Sequence, residues 1–177
     1  MNPISSLVFV LLLTVFPTQI LCQTPLMEQA CGYTIYKVLC LETLLSDPGS
    51  KKATNLKDIA TISLTHTENK ANDIQTQFKN QVNTAQDGAL KQALQSCSDY
   101  YIKVGDAFFS ASFHLKYSDF NRCKARLTEA TLNRQSCDEV FQGKPFTSPL
   151  SDSTTKVSQM QNNAEAIIYK LLALIPR

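Results

Sequence analysis

The sequence predicts an all-α protein: an up-down-up-down four-helix bundle preceded by a short N-terminal helical hairpin and held by two disulfides. Three observations carry this. Apolar residues recur at alternating three- and four-residue steps through four long segments, the period of one helix face. Clusters of Gly, Pro, Asp and Ser fall between those segments. The cysteines lie on the apolar faces or bracket the short first segment, where sulfur bridges would staple a helical scaffold.

The elements follow in order. Residues 6–16 (SLVFVLLLTVF) are an uncharged apolar run, too short to span a bilayer and the length of a signal-peptide core. Residues 1–22 are expected to be a signal peptide cleaved after Cys22, leaving a mature domain at 23–177. The chain then enters an oxidising compartment, where paired cysteines close. Residues 25–46 read as two short helices folded at Gly32, too small to persist alone. A Cys31–Cys40 bridge would keep that hairpin shut.

Asp47-Pro48-Gly49-Ser50 breaks the chain ahead of the bundle at 54–175. Its first helix is capped by Thr54 or Asn55 and carries the seam Leu56, Ile59, Ala60, Leu64, Ala71, Ile74, Phe78, Val82, with Thr67 filling one polar step. Asp87-Gly88 opens the second, whose seam runs Leu90, Leu94, Cys97, Tyr101, Val104, Phe108, Ala111, Leu115. Ser118-Asp119 caps the third: Phe120, Cys123, Leu127, Ala130, Arg134, Cys137, Phe141. After the turn-rich stretch at 143–149, Ser151 or Asp152 caps the fourth: Val157, Met160, Ala164, Ile167, Leu171, Leu174. Short connections between long helices favour antiparallel neighbours.

Loss of Cys22 with the leader leaves five cysteines, so at most two bridges form. Cys97 and Cys137 sit on inward stripes of adjacent antiparallel helices, within bridging reach. Cys97 with Cys123 spans the same two helices nearer the turn, and spacing alone leaves both pairings open. In the first pairing Cys123 is a buried free thiol acting as a small apolar residue.

The bulk chemistry argues against catalysis. No cysteine pair has zinc-finger spacing, and the two histidines, His66 and His114, are far apart in sequence and read as partly exposed helix residues. There is no nucleophile elbow, no phosphate-cradling loop and no inward Glu-x-x-His pair, so no catalytic residue, metal or cofactor is expected. With 17 basic and 15 acidic residues, a charge of +2 gives no electrostatic case for nucleic acid or an anionic membrane. No second apolar stretch reaches bilayer length. One outward face is distinctive: Thr61, Thr65, Thr67, Asn69, Asn72, Gln75, Thr76 and Gln77 give the first long helix a neutral, hydrogen-bonding surface suited to a wet protein contact.

Several stretches resemble the plant invertase and pectin methylesterase inhibitors, across roughly residues 25 to 175. They are Cys31-Gly-Tyr-Thr-Ile-Tyr-Lys-Val-Leu-Cys40, Leu94-Gln-Ser-Cys97-Ser-Asp-Tyr-Tyr101, Asp119-Phe120 ahead of Leu127-Thr-Glu-Ala130, Ser136-Cys137-Asp-Glu-Val-Phe141 and Ser148-Pro149-Leu150. The resemblance implies bridges Cys31–Cys40 and Cys97–Cys137, with Cys123 an addition to the pattern. It also implies a secreted inhibitor that docks reversibly over the active-site cleft of acid invertase or pectin methylesterase, in the apoplast rather than the vacuole. Asp47-Pro48 and Asn55-Leu56-Lys57-Asp58-Ile59 resemble the invertase-directed branch, which is slightly favoured. Lys116-Tyr117-Ser118-Asp119-Phe120 stands where some invertase inhibitors carry Pro-Lys-Phe, and resembles the pectin-esterase branch instead. Lys116, Tyr117, Asp119, Thr65, Asn69 and Asn72 are the candidate target contacts. The alternative is a non-inhibitory pollen or seed protein of the same fold. A monomer is expected, with a dimer through the hairpin as the alternative assembly.

Overall fold

The computed structural model describes residues 23–174; the leader expected at 1–22 and the last three residues lie outside them. Six helices follow in order: α1 (Pro25–Gly32), α2 (Lys37–Leu45), α3 (Leu56–Thr84), α4 (Gly88–Lys116), α5 (Phe120–Val140) and α6 (Ser151–Ala173), with a 3-10 turn at Pro48–Lys52 before α3. Helices α3 to α6 form the expected bundle. The run of α3 against α4 is antiparallel: Lys57 Nζ reaches the Lys116 carbonyl (3.0 Å) at one end, and Gln75 Nε2 reaches Ser98 Oγ (3.1 Å) further along. Broad contacts join α3 to α4, α4 to α5 and α3 to α6, whereas α5 and α6 meet along a much shorter line. There Gln161 of α6 donates to the Leu127 carbonyl (2.9 Å) and to Thr131 Oγ1 (2.6 Å).

The seams fill the centre. Leu64, Ile74, Phe78, Leu94, Tyr101, Phe108, Leu115 and Ile167 are fully buried, and the Phe78 and Tyr101 rings lie 5.6 Å apart across α3 and α4. Burial of such side chains is the main favourable contribution to the bundle, at about 1.5–3 kcal/mol each. Helices α3 and α4 approach closely at Gly105, where a Cβ would run into the Asn72 amide oxygen. Thr67 belongs to this interior: it is fully buried with its hydroxyl donating to the Ser63 carbonyl (2.8 Å), which removes it from the outward face. Its own helix supplies the partner that lets a hydroxyl sit among apolar groups.

Local chemistry sets the helix ends. Asn55 caps α3, accepting from Asp58 N–H (3.0 Å), while Asp58 reaches back to Thr54 N–H (2.9 Å), so one side chain serves each direction. Asp87 and Asp119 cap α4 and α5. At α6 the expected Ser151 or Asp152 cap is absent: the helix starts at Ser151 itself, behind Leu150, with no side-chain cap. Leu150 is buried there, and packing of an apolar residue takes the place of a hydrogen bond in fixing the entry. The α4–α5 corner is tight. Ser118 stands at positive φ (59°), with its N–H on the Leu115 carbonyl (3.0 Å) and the Asp119 N–H on the His114 carbonyl (2.9 Å). This is the Schellman arrangement with Ser where Gly is usual.

Both expected bridges are present, Cys31–Cys40 (Cα–Cα 5.6 Å) and Cys97–Cys137 (4.7 Å). Cys123 is buried and unpaired, so the Cys97–Cys123 pairing is not used. Burial first, then the Glu165 and Asp119 charges, push its thiol up to about 11, which leaves it unreactive near neutrality. The α1–α2 hairpin does not stand away from the bundle. Met27, Ala30 and Cys31 are fully buried, and the hairpin rests on α3 and α6.

Candidate target-docking surface

The α4–α5 corner presents three of the expected contact residues together. Lys116 and Tyr117 are exposed, and the Lys116 ammonium lies 6.0 Å from the Tyr117 ring centroid. Asp119 is committed locally: one oxygen caps α5 through Arg122 N–H (3.2 Å), and the other lies 3.5 Å from the Arg122 guanidinium and 3.8 Å from His114 Nδ1. It shapes the corner and offers a partner little free charge. Lys57 braces the corner from α3, donating to the Lys116 carbonyl and to Ser118 Oγ (3.2 Å). The strained Ser118 conformation is thus held from two sides.

Beside the corner lies an open cleft of about 400 Å³ between the 3-10 turn, the start of α3 and the end of α4. Lys52, Lys57 and Lys116 border it, with Asp58 as the nearby carboxylate. Hydrogen bonds from Thr54 and Asn55 converge on the Asp58 Oδ2 and hold the carboxyl below its ordinary value. The cleft is therefore cationic, a local feature that the near-neutral total charge conceals.

The other three candidates share one exposed stripe on α3 but open onto different surroundings. Asn69 borders a groove of about 370 Å³ with His66, Lys70, Asp73 and Lys156, where His66 Nε2 sits 3.0 Å from Asp47 Oδ2. Asn72 faces Gly105 of α4. Thr65 lies four residues before Asn69, with its hydroxyl donating to the Thr61 carbonyl (3.0 Å). Thr61 and Thr76 likewise donate to carbonyls four residues back. The face is accordingly less rich in free donors than its composition suggests, presenting methyl groups and acceptor lone pairs. Thr61 connects the stripe to the cationic cleft.

A carboxylate pair straddles the α3–α4 junction. Desolvation first, and then Asp106 on α4, hold the Glu68 carboxyl above its ordinary value. A raised acid pKa in the folded state means that folding binds protons, so stability falls as pH rises from the unfolded value through the folded one. Glu68→Gln should therefore raise the melting temperature slightly at neutral pH and leave it unchanged at strongly acid pH. Melts of both proteins across that range check this, and a gain of equal size at every pH would exclude the charge as its cause.

One set of residues was hidden in the sequence. Ile102, Phe109, Phe113 and Tyr117 form an exposed line along the outer face of α4, with the Phe113 and Tyr117 rings 4.8 Å apart. Each lies a position or two from the buried seam, so the linear pattern assigns the whole helix to the core. The signal that could have found them is that α4 is apolar over more of its circumference than one seam needs. Among the described residues no group of His, Cys, Asp and Glu could hold a metal ion, and no helix is long and apolar enough to cross a membrane.

Residues 25–167 match the family described as plant invertase/pectin methylesterase inhibitor. The chain belongs to that family. Its members are protein inhibitors rather than enzymes. A pectinesterase inhibitor from Actinidia deliciosa is 28% identical over 148 residues, covering 80% of each chain. The fold resembles a mutant form of a pectin methylesterase inhibitor from Arabidopsis (TM-score 0.63, 21% identity, 85% of this chain and 97% of that one). A pectin methylesterase inhibitor structure from Arabidopsis thaliana is similar at a TM-score of 0.60, with 20% identity and 85% and 96% coverage.

Proposed function

We propose that this family member is a secreted inhibitor that docks reversibly over the active-site cleft of a plant cell-wall carbohydrate enzyme. The observation that carries the reading is the braced α4–α5 corner, a rigid projection ending in an exposed Lys116–Tyr117 pair. A preorganised projection loses little conformational entropy on docking, and no covalent chemistry is required of it. Pectin methylesterase is the first target to test, because the relatives above are named for it and the corner carries Lys-Tyr-Ser-Asp-Phe at 116–120. Acid invertase is the second reading, supported by Asp47-Pro48 and the 55–59 segment. The apolar leader supports delivery to the apoplast. The α3 stripe through Thr65, Asn69 and Asn72 would supply a flanking polar contact.

The mature chain added to each purified enzyme at mildly acidic pH should inhibit one of them stoichiometrically. Replacing Lys116 with Glu and Tyr117 with Ala together should weaken that inhibition at least about tenfold, the effect of losing one anchor of an interface. No inhibition of either enzyme at micromolar protein would overturn the reading and leave a non-inhibitory protein of this fold. Full inhibition by the double variant would move docking to another face.

A further inference from the structure

The exposed line on α4 is left uncovered by the other described residues. Ile102 is 47%, Phe109 63%, Phe113 54% and Tyr117 65% exposed. A large apolar side chain carries about 150–250 Å², so the four together leave on the order of 400 Å² of apolar surface in water. A contiguous patch of a few hundred Å² marks an interaction site more often than chance. Its charges decide the occupant. Asp106 lies within the line and Lys116 at its end, both exposed.

In an isologous pairing, residue i meets j while j meets i. Two α4 helices packed antiparallel through their outer faces, about a two-fold axis at the level of residue 111, bring together residues equally distant from that position. Phe109 then meets Phe113 of the second copy, and Asp106 meets its Lys116. Each pair occurs twice, so one helix face supplies two aromatic contacts and two opposite-charge contacts in a single register. Tyr117 falls alongside Ile102 and Asp106 of the second copy and extends the contact at both ends.

From this self-complementary pattern, we infer that the chain forms a two-fold symmetric dimer through the outer face of α4, with Phe109 and Phe113 at its centre. The apolar line supplies about half of the roughly 800 Å² per partner in a standard interface, and the polar flanks of α3 and α5 supply the rim. The affinity is correspondingly modest and concentration-dependent. The hairpin is seated on α3 and α6 through one face and keeps Ile35 and Val38 exposed on the other, which makes it the competing interface. Because the contact covers Lys116 and Tyr117, self-association and docking through the corner exclude each other.

Sedimentation velocity on the mature full-length protein tests this, run from about 1 to about 200 µM to span weak-interface affinities. The mass should rise from one copy toward two across that range. Phe109→Glu alters an exposed residue, so far-UV circular dichroism should be unchanged. The substitution enters the interface twice, and about tenfold per position makes roughly a hundredfold loss of association. Asp106→Lys or Lys116→Asp alone should weaken the dimer by setting like charges opposite each other, and the double exchange should restore it. A monomer at every concentration overturns the inference. So does a dimer that survives Phe109→Glu but dissociates when Ile35 and Val38 of the hairpin are made polar, or a double exchange that fails to restore association. A monomer whose enzyme inhibition is lost with Phe109→Glu gives the face to the target enzyme instead.

Discussion

Replacing Cys97 and Cys137 together with alanine should lower the melting temperature by about 8–16 °C. The bridge closes a 40-residue separation between the third turn of α4 and the last turn of α5. Chain-entropy arguments assign such a loop about 4 kcal/mol of stabilisation, and each kcal/mol moves the midpoint of a domain this size by about 2–4 °C. The position reinforces the expectation. Helix α5 is tied to α4 by three residues at one end and by Cys137 near the other, and it meets α6 only along a short line. With the bridge gone, the C-terminal half of α5 has little besides its α4 contacts to hold it. Hydrogen exchange should therefore accelerate there first. Both sulfurs are buried and should resist reductant until the helix opens. The Cys31–Cys40 bridge closes a loop only nine residues long, and removing it should cost only about 2.5 kcal/mol. Circular-dichroism melts of the two alanine pairs rank them; a smaller loss from the Cys97–Cys137 pair than from the hairpin pair would overturn the argument.

The bundle was legible because its determinants are periodic and local. Asn55, Asp87 and Asp119 announce helix starts through side chains that accept from an N–H three residues further on. Cys97 and Cys137 lie on seams that must face inward, so burial and bridging agree. The surface was less legible, for two reasons. Thr67 fits both the buried seam and the outward face in the sequence, because a threonine that donates to its own helix counts as polar in a pattern and apolar in a core; the seam placement is the one realised. Phe109 and Phe113 look inward because aromatic residues beside a seam resemble seam residues until a neighbour fails to cover them. The cationic cleft of Lys52, Lys57 and Lys116 gathers three elements that are dispersed along the chain. Charge totals average it away. The proposed docking therefore rests on the exterior, where sequence pattern says least and tertiary placement most.

Asn163 illustrates a long-range determinant with no sequence signature, and substituting it with aspartate should release the hairpin. It lies on α6, almost fully buried, and its amide holds both backbone groups of Tyr36, 127 residues away: Oδ1 accepts from Tyr36 N–H (3.3 Å) and Nδ2 donates to the Tyr36 carbonyl (3.0 Å). Tyr36 precedes α2 without a side-chain cap of its own, so the amide fixes the backbone from which the helix starts. Aspartate keeps the shape but sets a carboxylate oxygen against that carbonyl. One buried bond is lost, a repulsion is added, and a charge is desolvated, at a cost of roughly 2–3 kcal/mol at neutral pH. Because Cys31–Cys40 keeps the hairpin closed, it should lift as a unit, uncovering Met27, Ala30 and Leu44 while the bundle stays folded. Burial raises the pKa of the new carboxyl, and its protonated form can donate to Tyr36 as the amide did. The lost stability should therefore return as pH falls through that raised value. Hydrogen exchange resolved by peptide, at neutral and acid pH, would show fast exchange confined to residues 25–46 and slowing with acid. Uniform acceleration across all six helices, or a defect that deepens in acid, would mean that Asn163 supports the bundle itself rather than the docking of the hairpin.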